Sequence, residues 1–327
     1  VRDGRAAAIA VDARDFEVVR IAAADLARDI AAITGVTPAT VDTRADAPRP
    51  APRVLVGTLG HSAVIDALAE SGRLDAGELR GRWETFRIAT VGDDLVIAGS
   101  DRRGTAVGVY ELSQQLGVSP WHWWADVPPP RRAELLVPAG TRRFGPPTVK
   151  YRGIFLNDED WGLQPWAAQT FEPEAGGIGP RTYEKVCELL LRLKANTLWP
   201  AMHACTKPFN ADPRNAAVAD RYAIVQGSSH AEPMLRNNVG EWNAPKPDYN
   251  YVTNRAGVRA YWAERVRSHA AYEAIWTLGM RGIHDSGIQG PKTDAERIAV
   301  LTQVFADQRA LLADHVRPDV AALPQMF

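Results

Sequence analysis

The sequence predicts an α/β protein of two domains, and two observations carry this prediction. From Lys150 onward, short apolar runs alternate with amphipathic helical patterns, which is typical of parallel strand–helix units. Strand and helix patterns also alternate before that point, and the turn-forming run Gly145-Pro146-Pro147 lies between the two regions. We therefore expect an N-terminal α/β domain over residues 1–147 and a second domain over residues 148–327.

The first domain is expected to contain three helices and three strands. The helices are predicted at residues 16–33, 62–70 and 104–116, and the strands at 53–57, 85–90 and 94–99. The last two strands form a pair around the turn Gly92-Asp93-Asp94. A glycine-rich phosphate loop is absent, because Gly57-Thr58-Leu59-Gly60 lacks both the G-x-G-x-x-G spacing and the P-loop lysine.

The second domain is expected to contain five parallel strands. They are predicted at residues 151–156, 197–202, 223–227, 274–280 and 321–327, and the helices at 182–196, 216–222, 252–272 and 294–316. The apolar run at 154–156 is typical of a fully buried strand, and the last helix has an apolar stripe that begins at Ile298. A (β/α)8 barrel of the TIM type closes with eight strands. The sequence therefore predicts an incomplete barrel, and we expect more protein after Phe327.

Composition argues against several function classes. The net charge is −1, with 46% hydrophobic and 24% charged residues, so charge-driven binding to nucleic acid or to a membrane surface is not expected. No apolar run reaches the ~18 residues of a membrane span. No signal peptide is visible, but the chain does not begin with Met, so secretion stays open. Cys187 and Cys205 lack metal or redox spacing, and Cys187 is expected to be a buried thiol.

Polar side chains follow each of the first four predicted strands of the second domain. In a barrel of parallel strands these positions converge at one end, where such proteins keep their active sites. Two carboxyl groups on either side of a sugar bond are what glycoside hydrolysis requires, and an arginine could clamp a substrate carboxylate. The residues concerned are Asn157, Asp158, Glu159, Asp160 and Trp161, then His203, then His230 and Glu232, then Arg281, His284 and Asp285.

Each of these residues also has a purely structural interpretation. Asp158 could cap a loop, and Glu159 and Asp160 are expected to be structural because alternate residues at a strand end point away from each other. His203 could be a satisfied core histidine, and Trp161 could fill a junction rather than stack on a sugar.

The pairs in this set have alternatives as well. Arg281 and Asp285 could stabilise their loop through an ion pair. His230 and Glu232 lie two residues apart without an obvious third ligand, which argues against a zinc site.

Four blocks of sequence resemble one known family. The run from Tyr151 to His203, which begins YRGIFLNDEDWG and ends NTLWPAMH, closely resembles glycoside hydrolase family 115, the xylan α-1,2-glucuronidases. The blocks SSHAEPMLRNNVGEW and GMRGIHD resemble two further parts of that family, in the same order. The block DRRGTAVGVYELSQQLGVSPWHWW resembles the α/β domain that precedes the barrel in this and other glycosidase families.

The resemblance implies an enzyme that removes α-1,2-linked glucuronic acid, or its 4-O-methyl ether, from glucuronoxylan. The implied mechanism inverts the anomeric carbon with an acid and a base and uses no metal or other cofactor. Asn157, Asp158, His230, Arg281 and Asp285 match active-site positions of the family, although the motif does not settle which carboxyl group is the acid. We expect Asp158 and Asp285 to be catalytic and the following residues to bind substrate: Asn157, Trp161, His203, His230, Glu232, Arg281 and His284.

The chain departs from the family at two points. His203 stands where many relatives carry tryptophan, which suggests a subgroup with a different preferred substrate. The family's barrel continues past the fifth strand, so we expect this chain to be a fragment that is inactive alone. A homodimer through regions absent from the chain, and an extracellular or periplasmic location near the polymer, are further expectations. The alternatives are a non-catalytic carbohydrate-binding protein and a metal-dependent barrel hydrolase.

Overall fold

A computed structural model of the chain describes residues 1–43, 52–158 and 160–327. These residues form two compact units. The first consists of Val1–Arg152 with Glu188–Asn196, and the second of Gly153–Cys187 with Thr197–Phe327. The predicted boundary at residue 147 lies shortly before the start of the second unit, and the sequence did not indicate that Glu188–Asn196 returns to the first. No helix in the described ranges is long and apolar enough to cross a membrane.

The first unit contains a six-stranded sheet on which three helices pack. The strand order is β2-β1-β3-β5-β4-β6, in which the first four are parallel and β4 is antiparallel to both its neighbours. The elements are β1 (Ala8–Val11), α1 (Glu17–Thr34), β2 (Thr40–Asp42), β3 (Arg53–Thr58), α2 (Ala63–Glu70), β4 (Phe86–Val91), β5 (Asp94–Gly99), α3 (Arg102–Gln115) and β6 (Thr141–Phe144).

The predicted helices and strands of this unit are confirmed to within a few residues. Helix α1 ends at Gly35, whose φ of 79° is one that glycine adopts without strain. Helix α3 begins at Asp101, whose side chain accepts a hydrogen bond from the backbone N–H of Gly104 at 2.8 Å. Strands β1, β2 and β6 were not predicted. The sequence of β1 is half alanine, and three of the four residues of β6 are exposed, so neither has a strong apolar strand pattern.

Buried charges attach the returning segment Glu188–Asn196 to the rest of the first unit. Arg192 donates to Asp29 at 2.9 Å and to Glu188 at 2.9 Å, and the side chains of Arg192 and Asp29 are only 4% and 6% exposed. Asn196 donates to the buried Glu84 carboxylate at 2.7 Å. These contacts pair charges that would be costly to bury alone.

The second unit alternates strands with helices along the chain. A π-helix, Ala167–Phe171, continues directly from α4, and the last turn of α5 already belongs to the first unit. The elements are β7 (Gly153–Phe155), α4 (Leu163–Trp166), α5 (Pro180–Arg192), β8 (Thr197–Trp199), α6 (Pro213–Arg221), β9 (Val225–Gln226), α7 (Arg255–His269), β10 (Trp276–Thr277), α8 (Asp294–His315) and β11 (Gln325–Met326).

All five strands of this unit are parallel to their neighbours and follow one another in sequence order. Strands β7, β8 and β9 form one sheet, β10 and β11 form another, and a single parallel bridge from Gln226 to Ala274 joins the two. The five predicted strands are thus confirmed, although each is shorter than expected. The described residues do not close a barrel, so the barrel stays a prediction.

Two burial predictions for this unit are wrong. Ile154, expected in a fully buried strand, is 38% exposed, because within the described chain β7 pairs only with β8. Ile298 is 66% exposed, whereas Val304, Leu311 and Leu312 form the buried face of α8 as predicted. Thr293 and Glu296 form a capping box, which stabilises the start of the helix without burial of the Ile298 side chain.

A buried carboxylate fixes the start of α5 and the loop before it. Glu172 is 3% exposed and accepts backbone N–H bonds from Arg181 at 3.0 Å and Thr182 at 2.9 Å. The first backbone N–H groups of a helix have no partner inside the helix, so this carboxylate supplies one. The long segment between β7 and α5 is therefore anchored at its far end.

Candidate active site

Six of the nine predicted site side chains lie in one continuous polar cluster. They come from the segments that follow β7, β8, β9 and β10, which supports the expectation that these segments converge. Hydrogen bonds, ion pairs and ring contacts connect them without interruption. The members are Asn157, His203, His284, Asp285, His230 and Arg281.

The Asp285 carboxylate is the centre of this cluster. Its Oδ1 lies 2.9 Å from His230 Nε2 and accepts a hydrogen bond from Arg281 Nη1 at 2.8 Å. Arg281 Nη2 also donates to the Asp285 backbone carbonyl at 3.0 Å, and Oδ2 lies 3.5 Å from His284 Nδ1. The Asp285 side chain is 60% exposed, so a ligand has access to the carboxylate while three side chains hold it.

The same contacts favour the ionised form of Asp285. The hydrogen bond from His230 lowers the pKa of the Asp285 carboxyl, and the charge of Arg281 beside it lowers the pKa further. Because Asp285 is well exposed, solvent screens these interactions, and their value for stability is small. Their effect on chemistry is clearer, since Asp285 is a carboxylate rather than a carboxylic acid at neutral pH.

Asn238 anchors the turn that carries Asp285. Its side chain is buried, accepts a hydrogen bond from the His284 N–H at 3.0 Å and donates to the Gly282 carbonyl at 3.2 Å. His284 has a φ of 54°, which is uncommon for a residue with a side chain. A Cβ on Gly282 would lie 2.2 Å from Ser286 Oγ and 2.6 Å from the Gly287 carbonyl, so only glycine fits. Sequence analysis missed Asn238, because nothing distinguishes it from its neighbours in NNVGEW.

Asn157 and His203 form the other end of the cluster. His203 Nε2 lies 2.7 Å from Asn157 Oδ1, and the His203 ring faces the His284 ring with centroids 5.4 Å apart and planes at 46°. Asn157 is exposed and His203 is half-buried. The interpretation of His203 as a buried core histidine is therefore wrong, since its ring reaches the exposed side chain of Asn157.

Asp158 is held by its own loop. Its Oδ1 accepts the backbone N–H of Asp160 at 3.0 Å, and its Oδ2 accepts that of Gln164 at 2.5 Å. No hydrogen bond or ion pair among the described residues joins Asp158 to Asp285. The contacts are those of a loop cap, the structural alternative, and the catalytic role of Asp158 stays a prediction.

Trp161 and Glu232 lie outside the polar cluster, and they differ in exposure to solvent. Trp161 is 84% exposed, as an open sugar platform would be. Glu232 is 8% exposed, and burial raises the pKa of its carboxyl to about 8. The backbone turns between His230 and Glu232, with the Ser228 hydroxyl donating to the Glu232 carbonyl at 2.8 Å. This turn leaves His230 exposed and Glu232 buried. Glu159 lies outside the described residues.

The described ranges contain no group of three or more His, Cys, Asp or Glu side chains arranged to hold a metal ion. Cys187 is buried, as predicted, and burial raises the pKa of its thiol. Cys205 is half-buried, and its Sγ lies 3.8 Å from the Asp158 carbonyl.

Comparison with known proteins identifies the family. The sequence profile of glycosyl hydrolase family 115 matches residues 144–327. A solved family 115 4-O-methyl-α-glucuronidase with specificity for decorated arabinogalactans is 44% identical over 99% of this chain, with a TM-score of 0.90. The chain belongs to glycoside hydrolase family 115. It spans 42% of the length of that solved relative. A search of curated proteins found no match.

More distant structures share the fold alone. A family 138 enzyme that targets the pectin rhamnogalacturonan II is 14% identical over 96% of this chain and 34% of its own length, with a TM-score of 0.53. A family 20 β-N-acetylhexosaminidase from Streptomyces coelicolor A3(2) is 13% identical over 95% of this chain and 60% of its own length, with the same TM-score. The family 115 chain therefore has an architecture that also occurs in other glycosidases.

Proposed function

We propose that the protein containing this chain removes α-linked glucuronic acid, or its 4-O-methyl ether, from a decorated polysaccharide with inversion at the anomeric carbon. Membership of family 115 supports a glycosidase. The observation that carries the proposal is Asp285, an accessible, ionised carboxylate held by His230 and Arg281. A carboxylate in this state is suited to act as the base of an inverting reaction.

In this proposal Asp285 takes a proton from a water molecule. The water oxygen attacks the anomeric carbon on the face opposite the leaving group, and the glycosidic C–O bond breaks. A carboxylic acid gives its proton to the leaving oxygen. We assign this second carboxyl group to Asp158, the other carboxyl group that matches an active-site position of the family; the motif itself does not distinguish acid from base. His230 and Arg281 keep the base in one orientation, which such a reaction requires.

The proposal also specifies the polysaccharide that carries the uronic acid. The sequence blocks resemble xylan α-1,2-glucuronidases, so we propose side chains of glucuronoxylan and of uronic-acid-bearing xylo-oligosaccharides as substrates. The solved relative is described as specific for decorated arabinogalactans, so that polymer is the direct competitor. The Arg281 guanidinium of the cluster would favour an anionic sugar of either origin.

Release of uronic acid, followed by the anomer formed, tests the proposal. We would incubate glucuronoxylan and arabinogalactan oligosaccharides with this chain and with a protein extended to the length of the solved relative, and follow the product by proton NMR. We expect the extended protein to release the β-anomer first. Asp285→Asn should lower its rate by about a hundredfold or more, whereas His315→Gln, in the last turn of α8, should leave it unchanged. Release of the α-anomer, or no release from either polymer, would contradict the proposal.

A non-catalytic carbohydrate-binding protein is the second candidate, because Trp161 offers an almost fully exposed indole. Saturable binding of the oligosaccharides without release, lost in Trp161→Ala, would favour it. The homodimer and the extracellular or periplasmic location expected from the family belong to the first proposal. Light scattering of the extended protein and fractionation of the producing cells would test them.

A further inference from the structure

We propose that His203 is a positioning residue that fixes the side-chain amide of Asn157, so that Asn157 presents its NH2 group to a hydrogen-bond acceptor of the substrate. This inference rests on the proposed function and adds to it. It assigns Asn157 to an acceptor oxygen of the bound uronic acid, and it gives His203 the role of positioning another side chain.

The geometry that carries it is the contact of His203 Nε2 with Asn157 Oδ1 at 2.7 Å. In this arrangement Nε2 carries the hydrogen and the amide oxygen accepts it. The distance is short for such a bond, and it joins residues 46 positions apart in the sequence. A contact of this kind connects the segments after β7 and β8 at the edge where the site lies.

The consequence for Asn157 follows from its exposure. An exposed asparagine amide rotates easily, because its terminal torsion has broad, shallow minima. Once the oxygen is held by His203, the NH2 group must point away from the ring. Asn157 then directs the two donor hydrogens of its NH2 group away from His203. It would favour an acceptor oxygen, such as those of a sugar hydroxyl or a carboxylate.

The His203 ring is itself held in place. It faces the His284 ring at 5.4 Å, and the His284 backbone is fixed by Asn238 at 3.0 Å. His284 in turn lies beside the Asp285 carboxylate. His203 thus connects the donor group of Asn157 with the turn that carries the proposed base, and both must keep their relative position for the sugar to bind productively.

Three substitutions of His203 separate the hydrogen bond from the bulk of the ring. His203→Gln places an amide N–H near the position of Nε2, His203→Asn places one near Nδ1, and His203→Phe keeps a ring against His284 without a donor. In the extended protein we expect His203→Phe and His203→Asn to raise KM about tenfold, with kcat less affected. His203→Gln should recover most of the loss. His315→Phe is the matched control and should behave as the wild type.

Equal effects of the Gln, Asn and Phe substitutions would overturn the inference, because a merely structural role does not depend on where the donor lies. An unchanged KM in all three would overturn it as well. If the wild type releases no uronic acid from either polymer, the proposed function fails, and the measurement below still decides the role of His203.

Nitrogen NMR of the imidazole rings of this chain detects the hydrogen bond between His203 and Asn157 in the absence of substrate. We would record it at a pH of about 8, where an ordinary imidazole is neutral. The His203 signals should show the tautomer with hydrogen on Nε2, and Asn157→Ala should change that tautomer balance while leaving His315 unchanged. Hydrogen on Nδ1 in the wild type would overturn the inference, whatever the activity.

Discussion

At the scale of single residues, the protonation state of each carboxyl group depends on its exposure to solvent and on its hydrogen-bond partners. Asp285 is exposed but held by His230 and Arg281, which lower its pKa. Glu232 lies two residues after His230 in the sequence and is buried, and its pKa is raised to about 8. The sequence assigned both to the same site. Their different environments give one the properties of a base and leave the other protonated at neutral pH.

The raised pKa of Glu232 has a consequence for stability. The unfolded chain loses this proton near the ordinary value of 4.5, whereas the folded chain keeps it until about pH 8. Between these values the folded state binds more protons, so the free energy of unfolding falls as pH rises and levels off above about pH 8. Glu232→Gln removes the titrating group, and we expect it to stabilise the fold by a few kcal/mol at pH 8.

Urea unfolding of the wild type and of Glu232→Gln at pH 5 and pH 8 checks this prediction. The two proteins should differ little at pH 5 and clearly at pH 8, with Gln the more stable. Glu70→Gln, at the exposed last residue of α2, serves as the matched control and should change the stability little at either pH. A glutamine variant less stable than the wild type at pH 8 would mean that the buried carboxylate is compensated by its surroundings.

Sequence reasoning found the side chains that form the polar cluster of the candidate site and missed the residues that support it. His203, His230 and Asp285 could be found because each follows a predicted strand, and parallel strands bring their carboxyl ends to one edge. Asn238 could not, because its role depends on Gly282, which is 44 positions away. The burial of Glu232 could not be predicted either, since a loop has no periodic pattern that indicates the direction of a side chain.

At the scale of elements, the regular helices and strands could be predicted, and the exceptions have physical causes. Helices α1 and α8 have apolar residues at helical spacing and clear end signals, so their limits agree closely with prediction. Strand β6 is an exposed edge with two arginines, and it becomes a strand only because β4 pairs with it. The role of Glu172 at the start of α5 depends on tertiary contact and has no local signature.

Helix α5 also provides a prediction about buried charge. Arg192 at its end pairs with Asp29, and both side chains are almost completely buried. Arg192→Met keeps the length and packing of the side chain but leaves Asp29 buried beside Ser113 without its cation. We expect this variant to lose about 3–5 kcal/mol of unfolding free energy, because the charge is uncompensated.

Chemical denaturation of Arg192→Met, Asp29→Leu and the double variant checks this. The double variant should recover a large part of the loss, since replacing both partners of a buried pair with apolar groups is often tolerated. Arg309→Met is the matched control, because Arg309 lies at an exposed position of α8, and it should cost much less. If the double variant is as unstable as the sum of the single ones, the pair is not the main interaction of Arg192.

At the scale of the whole molecule, the chain exposes apolar side chains in both regular elements and loops. Ile154 on β7 is 38% exposed, Ile298 on α8 is 66% exposed and Trp161 is 84% exposed. Strand β7 has a hydrogen-bonded partner on one side only within the described chain. An edge strand with an exposed isoleucine can pair with a second copy, so we expect this chain, when studied alone, to self-associate as its concentration rises.

Charge on the edge strand should suppress that association. Sedimentation velocity over a range of concentrations would compare the wild type with Ile154→Lys, because an edge lysine is a common device against strand pairing. Circular dichroism should stay unchanged, since Ile154 is not in the core. Ile298→Lys is the matched control, because it removes an exposed isoleucine from a helix rather than from a strand edge. If both substitutions reduce association equally, general apolar contact drives it, whereas an effect confined to Ile154→Lys identifies the β7 edge as the contact.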